Sequence, residues 1–216
     1  MNATRIAVVA TVALAACASM SDPAGTSDPA ALDRLARDAI RASFRAQGIA
    51  KLDRLDQDAV QQACSSPQPP SDEIARRLEA AEQATIRWPE DGNYLGDWRE
   101  GEKLAQNGRG MTWTDAPGAP SGGNCYNCHQ LAKAEISFGT IGPSLYHYGR
   151  LRGVTNAADP AAATIVKYTW GKIWNSKAYS ACSTMPRFGH AGVLTQAQVR
   201  DLMALLLDPK SPVNEP

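Results

Sequence analysis

Cys125-Tyr126-Asn127-Cys128-His129 constrains this chain more than any other stretch. Two cysteines separated by two residues, with a histidine directly after the second, form the attachment signature of a c-type haem. The chemistry sets the spacing. Each thiol adds across one vinyl group of the porphyrin, and two intervening residues let both sulfurs reach the same edge. The adjacent imidazole then points at the iron as proximal ligand. A zinc knuckle would need further Cys or His ligands at a second site. The sequence has no second CxxC, no CxxH and no HxxxH. One covalently bound haem c on Cys125, Cys128 and His129 is therefore the expectation.

The start of the chain says where such chemistry would happen. Arg5 is followed by an apolar run from Ile6 to Ala16, broken only by Thr11, too short to span a bilayer as a mature helix. Residues 1–16 read as an export signal, which suits haem attachment outside the cytoplasm. Leu14-Ala15-Ala16-Cys17 resembles a bacterial lipobox. In that reading Cys17 is lipidated, becomes the new N-terminus and anchors a periplasmic protein to the membrane. Ordinary cleavage at a small-x-small pattern such as Ala16-Cys17-Ala18 is the other reading. The polar run from Ser19 to Ser27 reads as a tether. Basic and acidic residues balance at 22 each, which gives no sign of nucleic acid as a partner.

Of five cysteines, Cys17 belongs to the leader and Cys125 and Cys128 to the haem motif. Cys64 and Cys182 remain. In an oxidising compartment they read as one disulfide pinning the N-terminal region to the haem region; two separate thiols are the alternative.

The periodicities are helical throughout, with no strand-rich region and no internal repeat. Asp28-Pro29 has the form of an N-cap followed by proline at the first helical position. Leu32, Leu35, Ala36, Ala39, Ile40 and Phe44 then share a face, and Gly48 is the expected stop. A short helix from about Asp56 to Cys64 would bury Val60 and Ala63. Ser65 to Pro70 is a linker. Ser71 can cap a third helix carrying Ile74, Leu78 and Ala81. Gly96 to Asn107 reads as a helix with Gly101 on it. Gly in a helix interior costs about 1 kcal/mol against Ala, which a close helix crossing would justify. Thr195-Gln196-Ala197-Gln198 has capping-box form. It opens a last helix with Val199, Leu202, Met203 and Leu206 on one face, expected to cross at Gly101.

A haem held by one histidine needs its sixth position explained. Met111, Met185, Met203, His147 and His190 are the candidates, besides an open site. Met203 fits the apolar stripe of the last helix. Met185 is followed by Pro186, which stiffens the backbone and has no N–H to satisfy. A preorganised loop that delivers a thioether to iron favours Met185, with His190 as its main rival.

The order of these features, over about residues 90–210, resembles the class I cytochrome c family: Gly101 helix, CxxCH, Gly142-Pro143-Ser144-Leu145, Met185-Pro186, final helix. In that family the Gly-Pro-x-Leu proline, here Pro143, offers its carbonyl to the proximal imidazole and fixes the ring. The finer pattern is similar to the SoxX cytochromes, the monohaem subunits of SoxAX sulfur-oxidation complexes. It comprises Gly96-Asp97-Trp98, Gly101-Glu102, the haem motif, Ala181 to Gly189, and an extension holding Asp56-Gln57-Asp58 and Cys64. The resemblance implies an all-α class I cytochrome c domain at residues 90–216. A tether and helical extension would fill residues 17–89. It further implies a SoxA-type haem subunit as partner, with thiosulfate coupled oxidatively to a cysteine of the SoxYZ carrier. Catalysis would belong to the partner, and this chain would pass electrons to a downstream cytochrome. A free-standing periplasmic electron-carrier cytochrome is the alternative function.

Overall fold

The computed structural model describes residues 28–215. The leader, Cys17 and the tether lie outside them. The described residues are helical and form no strands, apart from one isolated bridge between Gln47 and Ala50. The fold is all-α. Among the described residues, no helix is long and apolar enough to cross a membrane.

The chain divides into two compact units, one ending at Phe44 and one starting at Arg45. The division therefore falls earlier than the boundary expected near residue 90, and residues 45–89 pack as part of the second unit. The first unit holds α1 (Pro29–Ser43). Its Asp28 side chain accepts from the Ala30 N–H, with proline at the first helical position. None of its residues is buried. The helix does not run on to Gly48, because Phe44 already adopts an extended backbone. Gly48 has φ +50° at the tip of the turn bridged by Gln47 and Ala50, and a Cβ there would collide with the Trp113 carbonyl.

The second unit opens with two short helices. Asp58 caps α2 (Ala59–Cys64) through a complete capping box with Gln61, and Val60 is buried. Ser71 caps α3 (Asp72–Gln83). The expected apolar stripe does not carry α3: Ile74 and Ala81 are exposed and Leu78 is half-buried. Glu79 and Glu82 make its bonds to the rest of the unit.

The core is built on α4 (Trp98–Gln106) and α7 (Gln196–Leu207), which pack closely. Gly101 lies at their crossing. A Cβ there would overlap the Asp201 carbonyl and stand 3.0 Å from the Leu205 Cβ. The crossing thus explains the helix-interior glycine. Thr195 completes its capping box, and residues 202–207 are buried on every face, including the fully buried Met203. A helix all of whose faces are apolar and covered belongs in a core.

Between them, α5 (Tyr148–Leu151) and α6 (Ala163–Trp174) close the unit. The sequence reading did not include α6. It buries Val166, Trp170, Ile173 and Trp174, and its Trp170 indole stacks on that of Trp174.

Candidate haem-attachment site

The CxxCH motif sits on a single helical turn held from both sides. On the N-terminal side, Gly123 N–H donates to the Leu104 carbonyl at 2.8 Å and Asn124 N–H to the Asn107 carbonyl at 3.0 Å. These bonds tie the glycine-rich loop to the end of α4. Asn124 is left-handed, with φ 48°, and turns the chain into the short 3₁₀ segment Cys125–Asn127. The Cys125 carbonyl then accepts from both Cys128 N–H (3.1 Å) and His129 N–H (2.9 Å). Cys125 and Cys128 are both unbridged thiols. Burial pushes the Cys125 thiol up to about 12.

On the C-terminal side the chain runs back past the motif. Gly139 N–H donates to the Tyr126 carbonyl and Gly142 N–H to the Cys128 carbonyl, each at 2.8 Å. Leu145 N–H reaches the Gln130 carbonyl at 2.7 Å. Two glycines permit this approach. A Cβ at Gly139 would meet the Asn127 carbonyl, and one at Gly142 would overlap the His129 ring.

His129 Nδ1 lies 2.7 Å from the Pro143 carbonyl oxygen. A carbonyl only accepts, so Nδ1 carries the proton and donates. That bond fixes the tautomer and leaves the Nε2 lone pair free to accept or to coordinate. Both residues of the expected pair are therefore brought together.

The sixth-ligand candidates are sorted by their surroundings. Met203 is locked in the core. Met111 has φ 62°, and its carbonyl accepts from Arg54 at 2.9 Å. His147 is also left-handed and bonds through Nε2 to the Glu215 carbonyl at 2.7 Å. His190 bonds through Nδ1 to the Thr85 hydroxyl at 3.1 Å. Met185 is half-buried and packs on the core cluster. Its carbonyl accepts from the buried Ser176 hydroxyl at 2.5 Å, and its N–H donates to the Ser183 hydroxyl at 3.3 Å. Those bonds use the Met185 backbone only and leave its thioether uncommitted.

The flanks of Met185 are fastened to the N-terminal segment. Cys182 is joined to Cys64 by a disulfide. Arg187 pairs with Asp58 at 2.5 Å and with Glu82 at 3.3 Å. Glu82 also accepts from the buried Asn175 amide at 2.6 Å, and Glu79 accepts from Ala181 N–H at 2.9 Å. Sequence reasoning named Arg187 and Asp58 only as parts of a resemblance and did not single out Ser176, Asn175 or Glu82. Their one sequence signal is Asn175, a cap-forming residue type at the end of an apolar helix.

Close by, Gly189 and His190 donate their N–H groups to the Trp174 carbonyl at 3.1 and 3.0 Å. The Trp174 indole N–H is buried without a hydrogen-bond partner. Buried donors of this kind are normally satisfied. Among the described residues, no group of three or more His, Cys, Asp or Glu side chains could hold a metal ion between them.

No family model matches the chain. Over 163 residues it is 40% identical to an uncharacterized lipoprotein of Aquifex aeolicus (strain VF5), an alignment covering 74% of this chain and 73% of that protein. The chain belongs to that lipoprotein's family. A stretch of 163 residues in this lipoprotein relative is longer than the second unit from residue 90 onward. The likeness must therefore extend into residues before 90, where Cys64 and the capped helices α2 and α3 lie.

Proposed function

We propose that the chain is a lipid-anchored monohaem c-type cytochrome that serves as an electron-transfer subunit. The observation that carries the reading is the His129–Pro143 bond on a CxxCH turn. It holds a half-buried imidazole in the one tautomer that offers Nε2 to a metal. The fit of a haem rests on three further features. Gly142 is a cradle a side chain would fill, Cys125 is a half-buried unbridged thiol packed on the core, and Trp174 has a buried N–H with no partner in the chain.

Cys125 and Cys128 would hold haem c covalently, and His129 and Met185 would ligate its iron. When bound, the group supplies reversible one-electron chemistry. The chain's own part is to fix the two ligands and exclude water. Pro143 orients His129, while Ser176 and Ser183 hold the Met185 backbone. The helical unit around this site is read as a class I cytochrome c domain, on the strength of the α4–α7 crossing at Gly101. Cys17 is read as the lipidated N-terminus, supported by the lipoprotein name of the relative.

Within that class the reading is a SoxX-type subunit. It would partner a SoxA-type haem subunit, take electrons released as thiosulfate is coupled to SoxYZ, and pass them to a downstream cytochrome. The disulfide-bearing extension, which the SoxX resemblance includes, supports this over a free-standing carrier.

The first test is expression with a haem-attachment system, followed by intact mass and a reduced-haemochrome spectrum. One covalent haem is expected; a chain that matures without haem overturns the reading. The second is reconstitution with a SoxA-type subunit, SoxYZ and thiosulfate. The haem of this chain should become reduced as the conjugate forms. Unchanged turnover when the chain is omitted would leave it as a free-standing carrier.

A further inference from the structure

Met185 lies in a loop whose conformation is set from elsewhere in the chain. Four separate fastenings reach the stretch Ala181–His190 from residues 58–85. Cys64 is bonded to Cys182, and Glu79 accepts from Ala181 N–H. Asp58 and Glu82 both pair with Arg187, and Thr85 meets His190 at 3.1 Å. They flank Met185 on both sides and touch neither its sulfur nor its backbone.

The fastening at Arg187 differs from an ordinary surface ion pair. Its side chain is only 13% exposed and that of Glu82 only 14%. Glu82 is itself oriented by Asn175, which is fully buried and also donates to the Thr85 hydroxyl at 2.9 Å. Asn175 is followed by Ser176, whose hydroxyl holds the Met185 carbonyl. One network, largely buried except at its Asp58 end, thus runs from Asp58 and Glu82 through Arg187 and Asn175 to both sides of Met185. A planar guanidinium suits such a position, because its fork can meet two carboxylates at once. Breaking such a network at one member leaves the others buried and unpaired.

We propose that Arg187, bridging Asp58 and Glu82, is a positioning residue for Met185, so that the extension sets how firmly the methionine holds the iron. This rests on the reading of Met185 as the sixth ligand. The extension is then a fixed arm that keeps the sixth site closed to other ligands. The thioether–iron bond is weak and easily exchanged, so the fraction of protein with the methionine detached depends on the stiffness of the loop that carries it. An external ligand binds only that fraction, and its apparent affinity scales with it.

The test uses the haem-loaded full chain in the ferric state. The near-infrared sulfur-to-iron band and the affinity for imidazole are measured for the native protein, Arg187→Gln, Arg187→Lys, Glu82→Gln and Met185→Ala. The native protein should show the band, and Met185→Ala should lose it. Arg187→Gln should weaken the band and bind imidazole at least about tenfold more tightly, a shift of about 1.4 kcal/mol. Arg187→Lys should recover part of the change, because one ion pair can re-form. Glu82→Gln keeps the Asp58 pair and an acceptor for Asn175. It should give a smaller change in the same direction, and it serves if Arg187→Gln fails to accumulate.

The two readings fail differently. A native protein without the band, or a band that survives Met185→Ala, overturns Met185 ligation and the positioning role with it. A native band lost in Met185→Ala, with unchanged imidazole affinity in Arg187→Gln and Glu82→Gln, leaves the ligation standing and overturns the positioning role.

Discussion

Gly142 packs so closely on His129 that a Cβ at this position would overlap the imidazole ring, Nδ1 included. The ring is therefore placed from two directions, by the Pro143 carbonyl on its Nδ1 and by the bare Cα of Gly142 on its flank. Gly142→Ala should push the ring off this bond. The expected result is a large fall in haem incorporated per chain, measured by intact mass, with helix content unchanged. Full haem loading with a native ferric spectrum would show that the close approach is dispensable.

The crossing at Gly101 gives a prediction about stability alone. An alanine there gains about 1 kcal/mol of helix propensity. It also overpacks against the Asp201 backbone, which cannot rotate away, at a cost of about 1–3 kcal/mol. The Asp201 carbonyl is backbone and cannot give way, so packing wins and Gly101→Ala should lose up to roughly 2 kcal/mol. The check is a denaturant midpoint, which should fall with little change in slope.

The Cys64–Cys182 bridge closes a loop with a sequence separation of 118. Such closures contribute about 2–5 kcal/mol, chiefly by restricting the unfolded chain. Mass spectrometry of alkylated, unreduced protein should find neither cysteine labelled. The Cys64→Ser/Cys182→Ser protein should unfold at lower denaturant by that amount.

Two aspartates should respond to pH with opposite signs. Burial raises the Asp58 carboxyl, but the Gln61 N–H and the Arg187 guanidinium outweigh it and hold it below its ordinary 3.8. Its contribution is present above that value and is lost as pH falls through the lower folded value. Asp201 is raised above 3.8, first by burial and then by the nearby Glu100 and Asp97 charges, against the Asp97 N–H that it accepts. Its folded form prefers the proton, so stability is lost as pH rises through its folded value. Asp201→Asn keeps an oxygen for Asp97 and removes the charge. It should stabilise the protein at pH 7, with the gain vanishing in acid; Asp58→Asn should do the reverse. Urea midpoints between pH 3 and 8 would check both.

What was legible in the sequence was what local chemistry decides. The caps at Asp28, Ser71 and Thr195 form as their residue types require. The helix-interior Gly101 pointed correctly to a crossing. The helix α6 was not legible because its apolar residues do not keep to one stripe. Val166, Trp170, Ile173 and Trp174 are buried with Thr169 and Gly171 among them, and packing rather than pattern decides the element. The docking of α3 does not follow its apolar residues. Its clear stripe of Ile74, Leu78 and Ala81 stays largely exposed, while two glutamates make the attachment. The Arg187 network could not be read at all. Its partners lie 105 and 129 residues away, and a lone arginine beside Phe188 gives no hint of two distant carboxylates.

The pairing of α4 with α7 has a consequence for the order of assembly. The two helices are separated by residues 107–195, and the cysteines of the CxxCH turn lie within the loop that their contact closes. The contact cannot form until the whole of that stretch and α7 have been made, and until then Gly101 has neither Asp201 nor Leu205 against it. The last helix is thus the closing step in the assembly of the unit, and both thiols lie inside the loop that it closes.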